Sequence, residues 1–328
     1  MMLDLLLLGV GLILIIKGGD FFVSSSVRIA EQLRMPRVVI GSTLVSLATT
    51  TPELTVSIFS GLKGESGLAV GNAVGSCICN LGLILGVMAA LKHVEVHPRT
   101  LRTAFAAMLG SGVLLFVLTS DLTLSRGQGV FLVALGVAYF VFDFSRHQRH
   151  VSPAAHAEAA ALETEFVNRH SWLKGGRGAA LQFLAGAVLV VVGSKLLVDS
   201  AVGIARALGI PSLIIGLTIV AVGTSLPELI TAITSSRRNV SDLAVGNLLG
   251  ANIANLTLIV GSAASMHEVS MSRAAQLLNF PSLLGVMLLA LWMFSTESRV
   301  SRREGTVLLT FYAAYLLALV SLTLAGLT

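Results

Sequence analysis

The chain has 328 residues, 55% of them hydrophobic and only 12% charged, with a net charge of +5 and a mean hydropathy of +0.87. A soluble domain cannot cover that much apolar surface, so the composition defines an integral membrane protein. The basic excess does not indicate a nucleic-acid partner, because the positive charges fall on one set of short loops between apolar runs.

Solid apolar runs of roughly 20 residues predict ten transmembrane helices, near 3–24, 36–62, 68–91, 100–119, 127–145, 178–200, 210–236, 242–265, 274–295 and 305–327. Barrel strands would alternate apolar and polar positions, which these runs do not. Met1 to Asp4 carries no basic residue ahead of the first run, so that run reads as a retained helix and not a signal peptide. The second run contains Thr49-Thr50-Thr51-Pro52-Glu53. Proline removes a backbone donor and clashes with the carbonyl four residues back, so the helix should break there and free backbone carbonyls. Irregular backbone at membrane depth is tolerated where it lines a cavity, and a carboxylate in that position is costly and usually functional. The third run carries Gly71-Asn72…Gly75 and a polar stripe of Asn72, Ser76 and Asn80 at helical spacing. Its glycines permit close helix packing. Cys77 and Cys79 lie in the same run and read as packing residues, not metal or redox groups.

The region from Pro36 to Gly86 recurs without a gap from Pro211 to Gly261, with 24 identities in 51 positions. The copy supplies Thr224-Ser225-Leu226-Pro227-Glu228, Gly246-Asn247…Gly250, and Asn247, Ala251 and Asn255 opposite the first stripe. Two equivalent intramembrane glutamates point to one shared site at a pseudo-symmetric interface. Five spans followed by a copy invert the second half relative to the membrane, as in many secondary transporters. The expected organisation is a first five-helix repeat over 1–145 (duplicated region 36–86), a linker over 146–177, and a second repeat over 178–328 (duplicated region 211–261). With ten spans, 16 basic residues fall on one side and 4 on the other. Both termini are therefore expected outside and the central loop in the cytoplasm, in a cell or inner membrane if the source is prokaryotic.

The linker carries His147, His150, His156 and His170 around Glu158, Glu163 and Glu165; it reads as a short, partly helical connection rather than a domain. Asp20 aligns with Lys195, so that position does not keep a symmetric acid. Asp143, Asp199 and Glu297 fall near predicted span ends, where water or headgroups should solvate them. The converging groups of the duplicated segments are carboxylates, hydroxyls, amide oxygens and freed carbonyls. These hard oxygen ligands suit calcium or sodium and not zinc or copper.

At these segments the chain resembles the cation/calcium exchanger superfamily, most closely its prokaryotic sodium/calcium exchanger-like branch, whose paired repeats carry G-T-S-x-P-E and G-N-x-x-G-S-N-x-x-N patterns. Gly223-Thr224-Ser225-Leu226-Pro227-Glu228 matches the first pattern fully, and Ala48-Thr49-Thr50-Thr51-Pro52-Glu53 keeps its Thr, hydroxyl, Pro and Glu. The resemblance implies that Glu53 and Glu228 are the central calcium ligands, helped by the carbonyls of Thr49 and Thr224. It further implies that Ser46 and Ala221 offer carbonyls, and Thr50, Ser76 and Ser225 hydroxyls, to sodium sites, with Asn80 and Asn255 lining the middle. Ala251 stands where the pattern has serine, and Asn255 is neutral where some relatives carry an acid, which leaves the counter-ions open.

The expected activity is antiport of calcium against sodium by alternating access, with proton/calcium exchange as the alternative and a cation channel as a more distant one. An enzyme is not expected, because the two glutamates lack a paired nucleophile or metal-binding histidines. No cofactor and no obligate protein partner is expected beyond the transported ions and the bilayer.

Overall fold

The structure, a computed structural model, describes residues 2–62, 66–95, 98–147, 176–208, 221–297 and 299–325. Residues 148–175 of the expected linker, with His150, His156 and His170, lie outside the described residues, as do Lys63 and the part of the 210–236 run up to Val220.

The described chain is almost wholly helical. Helix α1 (Met2–Gln32) is followed by α2 (Arg37–Thr49), which is interrupted by a π turn at Gly41–Val45, and by α3 (Thr51–Leu62). Then come α4 (Ser66–Cys79), a π turn at Asn80–Ile84, α5 (Leu85–Leu91), β1 (Val94–Glu95), α6 (Pro98–Leu118), β2 (Thr123–Leu124) and α7 (Arg126–His147). The second part has α8 (Gly176–Ala207), a helical turn at Ala221–Gly223, α9 (Leu226–Arg237), α10 (Ser241–Ala254) and a π turn at Asn255–Ile259. It continues through α11 (Val260–Met266), β3 (Val269–Ser270), α12 (Arg273–Glu297), β4 (Arg299–Val300) and α13 (Arg302–Leu324).

Eight helical stretches are long and apolar enough to cross a membrane, among them Val70–Leu91 and Ser241–Met266, which run through the π turns. The two remaining expected spans are those with Pro before Glu. The first breaks at Thr50, which leaves the helical region with φ −80° and ψ 5°. The second breaks at the matching Ser225, with φ −88° and ψ 10°. In both cases proline follows within the first turn of the next helix, where its missing N–H costs nothing.

Corresponding elements keep one spacing. From α3 to β1, each element reappears 175 residues later at the same length, as α9, α10, the second π turn, α11 and β3. The short strands then show how the copies sit. β1 pairs antiparallel with β4, and β2 with β3. Because β1 and β2 bracket α6, they lie at its opposite ends, and so β1 and its counterpart β3 lie at opposite ends of the molecule.

The layering follows burial. Ser241–Met266 is 94% buried against 17% for the α13 stretch, although both are strongly apolar. Hydropathy alone does not separate a central helix from a peripheral one when the surroundings are lipid. The outer faces of α1, α7, α8, α12 and α13 expose Leu6, Ile13, Phe131, Val141, Leu184, Val188, Trp292 and Leu317, a surface suited to hydrocarbon. Helices α1 and α8 pack along each other, with the rings of Phe22 and Phe183 tilted at 35° and 4.7 Å apart between centroids. An ion pair ties α1 to the end of α9, with Arg238 Nη2 2.8 Å from Asp20 Oδ1. On α13 a full capping box, Ser301 with Glu304, fixes the helix start.

Asp143 corrects the sequence expectation. It lies near the end of α7, as expected, but it is buried, at 3% exposure, and not solvated. The C-terminal turn of α7 leans on the π turn of α2, where Ser42 Oγ donates to Asp143 Oδ2 at 3.1 Å. Asp143 Oδ1 lies 3.5 Å from His147 Nδ1, one turn further on. The neighbouring helix supplies a partner where water was expected.

Candidate cation site

Both proline-broken helices deliver a carboxylate to the centre. Glu53 and Glu228 lie in the first turns of α3 and α9 and are each only 1% exposed. A helix N-terminus carries partial positive charge, which offsets part of the cost of holding an anion there. The residues at the breaks then cross over between the copies. Ser225 Oγ donates to Glu53 Oε1 at 3.4 Å, and Thr49 Oγ1 donates to Asn247 Oδ1 at 3.1 Å. Thr49 also lies beside Glu228, and Ser76 beside Glu53.

The third-run stripe and its copy enter through the π turns. Asn80 and Asn255 each open one, 175 residues apart. A π turn adds one residue to the helical circuit and is frequent at functional sites. Asn80 Nδ2 donates to Asn252 Oδ1 at 2.9 Å, which ties the two central helices together.

What remains unpaired identifies the site's chemistry. Among the described residues, fourteen buried side-chain N and O atoms have no hydrogen-bond partner, and eight of them belong here. They are Glu53 Oε2, both carboxylate oxygens of Glu228, Thr224 Oγ1, Asn80 Oδ1, both polar atoms of Asn255 and Asn247 Nδ2. Six of the eight are oxygens. Unpaired buried polar atoms are costly, and a cluster of oxygens around two carboxylates is the arrangement that a hard cation would satisfy. No group of three or more His, Cys, Asp or Glu able to hold a metal occurs among the described residues, so the charge of this centre rests on the two glutamates.

The other expected ligands fall into two groups. Thr50, Ser76 and Ser225 are buried at the centre. The Ser46 carbonyl is turned to internal bonds, accepting from Thr50 N at 2.9 Å, Thr50 Oγ1 at 2.8 Å and Thr49 Oγ1 at 3.3 Å. Ala221 opens the short turn before Thr224, and Ala251, fully buried, brings no side-chain oxygen. Asn72 leaves the stripe: it is half-buried and bonds Ser57 at 3.4 Å, whereas its counterpart Asn247 is fully buried and joins the site. Sequence reasoning did not assign Asn247 or Asn252 to the site. Asn247 was visible in the duplicated G-N-x-x-G run, but Asn252 stands opposite Cys77 and had no such signal. Cys77 and Cys79 are free thiols, buried as packing residues.

Helix α10 packs tightly on α2 beside this centre. A Cβ at Gly246 or Gly250 would collide with the carbonyl oxygens of Val38 or Ser42 on α2, so α10 lies backbone to backbone on that helix. At the equivalent Gly71 and Gly75 a Cβ would meet nothing within 4 Å among the described residues, which do not include 211–220, the sequence counterpart of 36–45.

A helical membrane protein whose duplicated, broken helices bring two carboxylates and a ring of oxygens together is a transporter by architecture. The chain belongs to the sodium/calcium exchanger protein family, whose profile matches residues 3–144 and 178–321. It is 33% identical to the sodium/calcium exchanger MaX1 of Methanosarcina acetivorans, over 96% of this chain and 98% of that protein. It is 36% identical to the inner membrane protein YrbG of Escherichia coli, over 80% and 79%. Among solved structures it resembles the sodium-calcium exchanger NCX_Mj with a TM-score of 0.82 and 29% identity, covering 97% of this chain and 99% of that one.

Proposed function

We propose that this chain exchanges calcium for sodium across the membrane by alternating access, as a transporter and not an enzyme. The observation that carries this reading is the set of unpaired oxygens on Glu53 and Glu228, with Thr224, Asn80 and Asn255 around them. Two carboxylates can be neutralised by one calcium or by sodium ions at the same place, so the two cargoes compete. A site left empty keeps two buried negative charges in a low-dielectric interior, which opposes its passage between faces. Calcium is held by Glu53 and Glu228 with the carbonyls of Thr49 and Thr224. Sodium draws on Thr50, Ser76, Ser225, Asn80, Asn255 and the carbonyls of Ser46 and Ala221, the Ser46 carbonyl only after its present bonds are exchanged.

The chain is organised, on this reading, as two inverted five-helix repeats, 1–145 and 178–328, joined by the 146–177 linker. The 175-residue spacing of elements and the placement of β1 and β3 at opposite ends support it. The 16-to-4 distribution of basic residues supports both termini outside and the linker in the cytoplasm.

Proton/calcium exchange is the second reading, favoured by one observation. Ala251 removes a hydroxyl that a sodium site in the second repeat would use. Purified protein in liposomes separates the two: calcium uptake driven by an outward sodium gradient at equal pH supports sodium coupling. Uptake that follows only a pH gradient replaces it with proton coupling.

A further inference from the structure

The carboxylate of Asp143 has no part in the central site, yet it is buried in a helix long and apolar enough to cross a membrane. Such a group is retained for function more often than for stability. On its own helix Asp143 Oδ1 lies 3.5 Å from His147 Nδ1, and its other oxygen faces α2. Ser42 Oγ donates to Asp143 Oδ2 at 3.1 Å, and the Ser42 carbonyl accepts from Ser46 Oγ at 2.9 Å. The Ser46 carbonyl in turn accepts from Thr50 Oγ1 at 2.8 Å, and Thr50 lies three residues before Glu53. Ser42, Ser46 and Thr50 are spaced by four and form a column of hydroxyls along α2, from Asp143 to the central carboxylates. Tyr139, one turn before Asp143, adds a buried hydroxyl without a hydrogen-bond partner.

The column is covered in this conformation. Helix α10 lies over it, and any Cβ on Gly250 would overlap the Ser42 carbonyl and Ser46 Oγ. If α10 and α2 part, Asp143 and Ser42 are the first buried polar groups reached from the end of α7, behind Arg146 and His147 of its last turn.

The second repeat keeps a hydroxyl opposite Thr50, at Ser225, and opposite Tyr139, at Tyr315, but not the rest of the column. Its counterparts of Ser42 and Ser46 are Leu217 and Ala221. Helix α13 corresponds to α7 with a spacing of 176: Gly129 packs on Gly261, and Gly305 on Gly86, in matching contacts. In that register Leu319 stands where Asp143 does. The hydroxyl column and its carboxylate therefore serve one face of the protein only.

We propose that Asp143 and Ser42 form a relay site for the transported cation, at the mouth of the Ser42–Ser46–Thr50 column on the face where α7 ends. One carboxylate and one hydroxyl, with exchangeable water, suit weak and rapid binding of calcium or sodium. The two carboxylates of the centre bind more tightly. The relay rests on the exchange reading above.

The test measures the half-saturating calcium and sodium concentrations for exchange at each face, in everted and right-side-out vesicles. Asp143→Asn keeps an oxygen acceptor for Ser42 and removes the charge. It should raise both values at the face where α7 ends, roughly five- to tenfold for the loss of one nearby charge, and leave the opposite face unchanged. Asp143→Glu should restore most of the loss. Equal shifts at both faces, or none, overturn the relay. If wild-type vesicles show no sodium-dependent calcium flux, it is the exchange reading that falls. Should Asp143→Asn not yield folded protein, Ser42→Ala decides by the same one-face criterion.

Discussion

The close packing of α10 on α2 can be tested with one substitution. In Gly250→Ala the new methyl meets the Ser42 carbonyl oxygen, the Ser42 carbonyl carbon and Ser46 Oγ, all closer than real Cβ contacts allow. The first two are backbone atoms of a helix and cannot turn aside. The overpacking costs about 1–3 kcal/mol, against a gain in helix propensity of about 0.5–1 kcal/mol. The net loss is at most about 2.5 kcal/mol, so at roughly 2 °C per kcal/mol for a chain of this size Gly250→Ala should melt up to about 5 °C below wild type in detergent. The overpacking alone weighs against the present conformer by about 5- to 150-fold relative to any in which α10 has moved off α2. Face-specific transport should therefore shift with Gly250→Ala. If Gly250→Ala melts as high as wild type and transports like it from both faces, α10 does not sit on α2 as described.

Three further predictions concern the centre and the frame. Glu228→Gln removes one of the two buried carboxylate charges at the centre, so the cation-free protein should unfold at a higher temperature than wild type. The same variant should lose the calcium-induced rise in melting temperature, which for wild type corresponds to about 2.7 kcal/mol at a hundred times Kd. Ala251→Ser restores the hydroxyl that Ser76 supplies in the first copy; sodium should then displace bound calcium at a lower concentration, read by competition of labelled calcium. Ser301→Ala removes the cap of α13, costing about 1 kcal/mol of stability with calcium transport per folded molecule unchanged.

Much of this was legible in the chain because the duplication states it twice. Pro52-Glu53 and Pro227-Glu228 located both helix breaks, and the breaks fall at the equivalent Thr50 and Ser225. The π turns at Asn80 and Asn255 were not legible, since a one-residue change in helical circuit has no residue signature. They begin at Asn80 and Asn255, the last residues of the two polar stripes; ahead of the first, Asn80 reaches Asn252 while Asn72 turns to Ser57. Asp143 was misjudged for a related reason. Position along a span gives depth, but the depth of water depends on which helix packs beside it, and here α2 does.

The departures from symmetry bear on the proposed route. In the proposed cycle the two halves exchange packing roles, and perfect copies would make the two faces equivalent. Opposite Ser42, Ser46 and Asp143 of the route the second copy has Leu217, Ala221 and Leu319, and Ala251 stands opposite Ser76. The exchange runs the other way at Asn252 and Thr257, which stand opposite Cys77 and Gly82. The paired glutamates are kept in both copies, as are Thr49 with Thr224 and Asn80 with Asn255. The carboxylate pair thus keeps the symmetry that alternating exposure requires, and the proposed route does not. At the positions of that route the first repeat has hydroxyls and a carboxylate for a partly dehydrated cation, whereas the second has alkyl residues in its sequence. Affinity at the two faces should differ for that reason even where the bound site is the same.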